Sequence, residues 1–268
     1  MTGEHAACAA SPEASVSLRL GDHTRNGLVS VRIGPDGVTY QIYKTLLAEH
    51  SEYFRNALSG AWKESDDGVI KLDDVDCHTF EIFIHWLHTQ RLPTKYSLWL
   101  KKNETEPSTK AVQMAMLDTW IFADRFLTSA LRRDCEHALV DMFCNRSLPY
   151  YEVVVQAYEC LPPTSLVLKA IIATHCERFD QYADNEGNGE VDRRSRLPSE
   201  FLVGVMMQYM MIKEHSLDPK PDPCQFHEHP QEYWGCAVNA AECVNDLALD
   251  ASIVKEPTPK VEDSESED

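Results

Sequence analysis

The sequence has no apolar run long enough to cross a bilayer. Its longest, Phe201 to Ile212, is twelve residues and is interrupted by Gly204 and Gln208, whereas a spanning helix needs about 20. Positive charge is also scarce, with 25 Lys and Arg against 43 Asp and Glu and a formal net charge of −18. Such a surface repels phosphate, and the lysines at 95, 101, 102 and 110 are diluted by Glu104 and Glu106. Direct nucleic-acid binding and attraction to anionic lipid are therefore not expected. The first residues, MTGEHAACAASPEA, have neither the basic start nor the apolar core of a secretory signal. An intracellular location, nucleus or cytoplasm, is the expectation. The 9 cysteines are scattered, so most should be buried free thiols. The sequence has no G-x-S-x-G, no P-loop, no G-x-G-x-x-G, no H-E-x-x-H and no C-x-x-C. These are the spacings that build a nucleophile elbow, a phosphate cradle or a zinc-protease site, and a non-enzymatic chain is expected.

What is present is a change of hydrophobic period along the chain. Residues 1–27 are small and polar and predict a flexible segment. Val29, Val31 and Ile33 alternate with polar residues, as do Val38, Tyr40 and Ile42, and Gly34-Pro35-Asp36-Gly37 separates the two runs. That is a β-hairpin. Leu46, Leu47, Tyr53, Phe54, Ala57 and Leu58 then fit two short helices broken near His50-Ser51, and Val69, Ile70 and Leu72 fit a third strand. Phe80, Phe83, Ile84 and Leu87 have helical spacing, with Pro93 as a stop. Residues 93–109 predict a mobile or irregular loop insertion, because two prolines and a polar run offer little to bury, with Tyr96, Leu98, Trp99 and Leu100 as a small apolar patch within it.

Helices are predicted over about 110–125, 128–144, 150–160, 165–182 and 198–214. The first of these is apolar nearly all round and should be buried. Tyr53, Phe54, Phe80, Phe83, Leu87, Leu117 and Ile121 are the expected core. Met206, Met207, Met210 and Met211 read as core filling, and His175, on an apolar helix face, reads as a boundary histidine bonded to backbone. Residues 184–196 form a charged loop. Residues 250–268 carry seven acidic and two basic side chains and read as a disordered acidic tail.

One cluster has metal-ligand character. Cys224, His227, His229 and Cys236 place two thiols and two imidazoles within 13 residues, the donor set of a tetrahedral zinc site. The alternatives are one structural Zn, or no cofactor at all, with free thiols and surface histidines. A zinc-dependent enzyme using this cluster, with Glu228 as base, is the least favoured reading.

The order and spacing of the motifs resemble the BTB/POZ domain, of the type common in fungal proteins. The resemblance runs from Leu28 to about Asn145. It rests on the hairpin LVSVRIG and VTYQIYK, on the Ser-x-x-Phe signature at Ser51 and Phe54, and on Gly60-Ala-Trp62-Lys-Glu64-Ser65. It continues through Val69 to Val75 and the helix Phe80 to Leu87, where His88-Thr89-Gln90 replaces the family's Tyr-Thr-Gly. Two further departures are Leu28, where the family has Asp, and Tyr43, where it has His.

The resemblance implies an α+β fold, a small mixed sheet flanked by helices. Residues 28–145 would be that domain. Residues 146–249 would be a helical extension of BACK type, holding the Cys/His segment 224–236. It also implies a protein–protein interaction module. Its most concrete form is a substrate adaptor for a cullin-based ubiquitin ligase, since family adaptors carry a φ-x-Glu turn where this chain has Trp62-Lys63-Glu64. Trp62, Glu64 and Phe54 are the implied partner-binding residues. The alternative is a transcriptional or scaffold regulator acting through recruited partners. Only about 27 residues precede the hairpin, so a domain-swapped homodimer is not the first expectation.

Overall fold

The computed structural model describes residues 27–59, 69–101, 108–180, 184, 189–216, 220, 221 and 223–226. They fall into two compact units divided at Cys77.

The first unit is built on three strands, β1 (Leu28–Ile33), β2 (Val38–Tyr43) and β3 (Val69–Leu72), in the order β2-β1-β3. The hairpin pairs Leu28 with Tyr43 and Ile33 with Val38, antiparallel. Its turn needs left-handed backbone at Gly34 and Gly37 (φ +72° and +67°), which glycine adopts without a Cβ clash. β3 joins β1 in parallel, Ser30 opposite Val69, and Gly34 N–H extends the ladder by donating to Leu72 O at 3.0 Å. Period-2 alternation buries Val29, Val31 and Ile33 on one face of β1.

Two helices follow the hairpin, α1 (Lys44–His50) and α2 (Glu52–Leu58). Ser51 makes the break. Its backbone is extended (φ −135°, ψ 123°), and its hydroxyl accepts the Phe54 N–H at 3.1 Å. This is an N-cap, typically worth about 1 kcal/mol. The Ser-x-x-Phe pair thus has a physical content: the serine starts the helix, and three residues on the phenylalanine is fully buried.

The second unit is helical. Its elements are α3 (Cys77–Thr89), α4 (Thr109–Arg125), α5 (Ser129–Asp141), α6 (Tyr151–Cys160), α7 (Leu166–Arg178) and α8 (Ser199–His215). Phe80 and Phe83 of α3 meet Phe122 of α4, which in turn lies 4.4 Å centroid to centroid from Phe126. Burial of each such ring contributes about 1.5–3 kcal/mol. Trp86 adds a polar tie, its indole N–H donating to Asp134 Oδ2 at 2.8 Å. α4 starts at Ser108, whose hydroxyl accepts Ala111 N–H. It buries residues on every side, from Val112 and Gln113 to Phe122 and Ala123. α5 runs into a π-type turn, Met142–Arg146.

The segment after Pro93 carries one short turn. Residues 96–99 form a 3-10 turn with Tyr96 and Trp99 buried, and the Trp99 indole N–H donates to Pro93 O at 2.9 Å. Of the expected apolar patch, Tyr96 and Trp99 are buried and Leu98 is exposed, and the described residues on either side of the turn are irregular. Tyr53 and Ile121 are half-buried, not core. α7 ends at Arg178, and Phe179 beyond it is exposed. The acidic tail lies outside the described residues.

Candidate interaction surfaces

Of the implied partner-binding residues, Trp62 and Glu64 lie outside the described residues. Phe54 is described and is 0% exposed; its ring meets Tyr53 edge-on at 5.3 Å. The structure places its side chain in the interior rather than on a surface. His227, His229 and Cys236 also lie outside the described residues. Cys224 sits on the short turn Pro223–Phe226, and its side chain is not among those described. No group of three or more His, Cys, Asp and Glu is placed to hold a metal ion among the described residues.

The described cysteines are free thiols of mixed exposure, Cys135 and Cys144 buried and Cys160 on the surface. Burial pushes Cys144 up to about 11 and Cys135 well above the usual range. Both stay protonated and act as small apolar side chains.

A polar network fastens the charged loop to the start of α6. The Tyr151 hydroxyl donates to Asp184 Oδ2 at 2.8 Å, and Arg194 Nε donates to the same oxygen. Glu190 accepts the Tyr151 backbone N–H, so an acidic side chain stands at the helix N-terminus, where the macrodipole favours it. Burial raises the Tyr151 phenol, and its bond to Asp184 raises it further. The phenol is therefore a fixed donor. Lys110 and Arg193 both reach Glu152 Oε2, at 3.2 and 3.4 Å. The sequence showed Asp184 and Glu190 only as loop charges, yet both are buried.

His175 is buried more deeply than the boundary position expected of it, at 4% exposure. Its Nδ1–H donates to Ile171 O at 2.8 Å. The ring stacks near Tyr151 and meets Phe201 edge-on at 4.9 Å. Desolvation pulls the imidazole down to about 4, so it is neutral at pH 7.

Two surface features remain. One is a shallow cleft of about 230 Å³ between α3 and the 93–100 segment, lined by His78, Ile82, His85, Pro93 and Leu98. The other is α8. Phe201 is its one buried residue, while Leu202, Val203, Met206, Met207, Tyr209, Met210 and Met211 are all 45% exposed or more. The core role expected of the methionines is thus corrected. α8 packs on α7, through Phe201 and through Gly204 against Ile172, and the opposite face has no partner element among the described residues.

Comparison with known proteins identifies the fold. Residues 24–142 match the family model of the BTB/POZ domain. A solved structure of the BTB (Tramtrack and Bric a brac) domain of human Gigaxonin is similar at 15% identity, over 50% of this chain and 97% of that one, with a TM-score of 0.32. The family match makes residues 24–142 a BTB/POZ domain, a protein–protein interaction module, and the described residues after it are mainly helical. No helix among the described residues is long and apolar enough to cross a membrane.

Proposed function

We propose that this chain is a non-catalytic adaptor that brings protein partners to a cullin-based ubiquitin ligase. The observation that carries the reading is the BTB/POZ match over 24–142 with Trp62-Lys63-Glu64 at the family's φ-x-Glu turn. An aromatic followed by a carboxylate suits an anchor that enters an apolar groove while the acid pairs at its rim. The departures at Leu28 and Tyr43 favour this over a corepressor-recruiting regulator. Leu28 is half exposed, and Tyr43 is partly buried; neither supplies the charge that a corepressor groove uses in the family.

The test is a pull-down from cell extract with the full chain, comparing wild type with the double variant Trp62→Ala, Glu64→Ala, both checked for folding by circular dichroism. Recovery of a cullin by the wild type and its loss in the variant supports the reading. Equal recovery, or none from the wild type, overturns the adaptor role.

A further inference from the structure

Arginine directly precedes serine at two places in the chain, Arg146-Ser147 and Arg194-Ser195. The second is the richer in charge. Arg193, Arg194 and Arg196 stand within four residues, a density of positive charge found nowhere else in this chain of net charge −18. The structure separates the two places further, by access.

At the first place both side chains are engaged inside the fold. The Arg146 side chain is 12% exposed, and its Nε–H donates to Asp141 Oδ2 at 3.4 Å. The Ser147 hydroxyl donates to Leu148 O and accepts from the Gln113 amide, each at 3.3 Å. The Ser147 backbone N–H donates to Met142 O. An enzyme reaches this hydroxyl only by opening the end of the π-type turn.

At the second place the hydroxyl is in the open. Ser195 and Arg196 are exposed, on a 3-10 turn (Val191–Arg196) that has no buried residue. Hydrogen bonds of this geometry are poorer than those of an α-helix, and a short surface turn with little to bury opens readily. Leu197 is already extended (φ −62°, ψ 132°), so the chain straightens within two residues of Ser195. The other end of the turn is anchored. Arg193 Nη1 donates to Gly189 O at 2.7 Å, and Arg194 Nε donates to Asp184 Oδ2. The Arg194 side chain is nevertheless 56% exposed, which leaves guanidinium donors accessible beyond that contact.

This combination suits one class of enzyme. A protein kinase with carboxylates in its substrate groove pairs with arginines on either side of the serine it modifies, through charge-assisted hydrogen bonds. An acidic surface is repelled by such a groove, so the arginine-rich turn is where the groove engages this chain.

We propose that Ser195 is a phosphorylation site for a protein kinase that recognises arginine–serine dipeptides. Ser195 Oγ attacks the γ-phosphorus of Mg-ATP, and the bond from that phosphorus to the β,γ-bridging oxygen breaks. ADP leaves, and the hydroxyl proton passes to the catalytic carboxylate of the kinase. The phosphate adds about −1.5 to −2 charges between Arg194 and Arg196, which offset most of it. The turn loses its cationic character, while Asp184 keeps its bond to Arg194 Nε.

The test incubates the full chain with Mg-ATP and a purified SR-protein kinase and follows phosphate at each serine by mass spectrometry. Synthetic peptides of residues 142–151 and 190–200 give the rate at each serine without the fold. Ser195 should be modified in the full chain at a rate close to that of its peptide, and Ser147 several-fold more slowly than its own. No phosphate at Ser195 of the full chain would overturn the proposal, and so would Ser147 modified as fast as Ser195. Arg196→Gln should slow modification of Ser195 several-fold with the melting temperature unchanged. An undiminished rate would show that the arginines are not what the kinase reads, and would overturn it too.

Discussion

α4 and α8 are both 17-residue helices with apolar side chains nearly all round. α4 buries eight residues, among them Trp120 and Phe122, and α8 buries one. Composition does not separate them. α4 packs on α5, α6 and the 96–99 turn, whereas α8 has α7 as its principal neighbour. An all-apolar helix is a demand for partners on every side. In α4 the neighbours meet it, and in α8 only one side is met by described residues.

The sharpest way to test the contrast is to truncate α4. Trp120 is 2% exposed, its face approached by Arg132. Trp120→Ala should cost about 3–5 kcal/mol, the usual loss for a buried large aromatic. Chemical denaturation measures it. A loss below about 1 kcal/mol would place α4 among surface helices, where substitutions are nearly neutral.

The seat of α8 should respond to acid. His175, under Phe201, titrates at about 4 in the fold against an ordinary 6.5. The folded value is depressed, so the unfolded state takes the proton first as pH falls. The stability held by the neutral ring is fully present above about pH 6.5 and is lost progressively toward pH 4, by up to about 3 kcal/mol. Glu190 works the other way, since burial raises its carboxyl. The comparison with His175→Gln isolates the imidazole: denaturation midpoints from pH 7 to 4.5 should fall more steeply for the wild type. Parallel profiles would contradict the assignment.

A smaller loss is expected from the loop that precedes α8. Asp184 is a buried acceptor shared by Tyr151 and Arg194. Asp184→Asn keeps the shape and removes the charge, and should cost about 1.5–3 kcal/mol, the range for hydrogen bonds to charged groups. If thermal melting is unmoved, the network is not what holds this loop.

Much of the fold could be read from local sequence because its determinants are local. The hairpin alternation, the Ser51 cap and the helical spacing of Phe80, Phe83 and Leu87 each act within a few residues. What escaped reading depends on distant partners. Tyr96, Leu98 and Trp99 are legible as a small apolar patch in a polar run, but that Tyr96 and Trp99 are buried while Leu98 is exposed depends on the neighbours they meet. Asp184 and Glu190 look like solvated charges until Tyr151, more than 30 residues away, is placed beside them. The methionines of α8 have the composition of a core, and their exposure is a property of their neighbours. Of the candidate site, Phe54 could be recognised as part of a motif, but periodicity cannot tell an anchor that points outward from one that points in.

Gly204 offers the finest adjustment of the contrast. A glycine in a helix interior costs about 1 kcal/mol relative to alanine. Here it lets α8 approach α7 closely, since a Cβ at this position would lie 2.5 Å from Ile172 Cδ1. The obstacle is the far end of a flexible side chain, and Ile172 can turn away at about 0.5–1.5 kcal/mol. Gly204→Ala should therefore sum to within about 1 kcal/mol of zero, the propensity gain offsetting the displaced isoleucine. Gly204→Leu cannot be absorbed so cheaply, because further atoms would have to enter where Ile172 packs; overpacking of this kind costs about 1–3 kcal/mol. Thermal melting of the two variants beside wild type makes the measurement. If the leucine variant melts with the alanine variant, α8 is not held to α7 through this close approach.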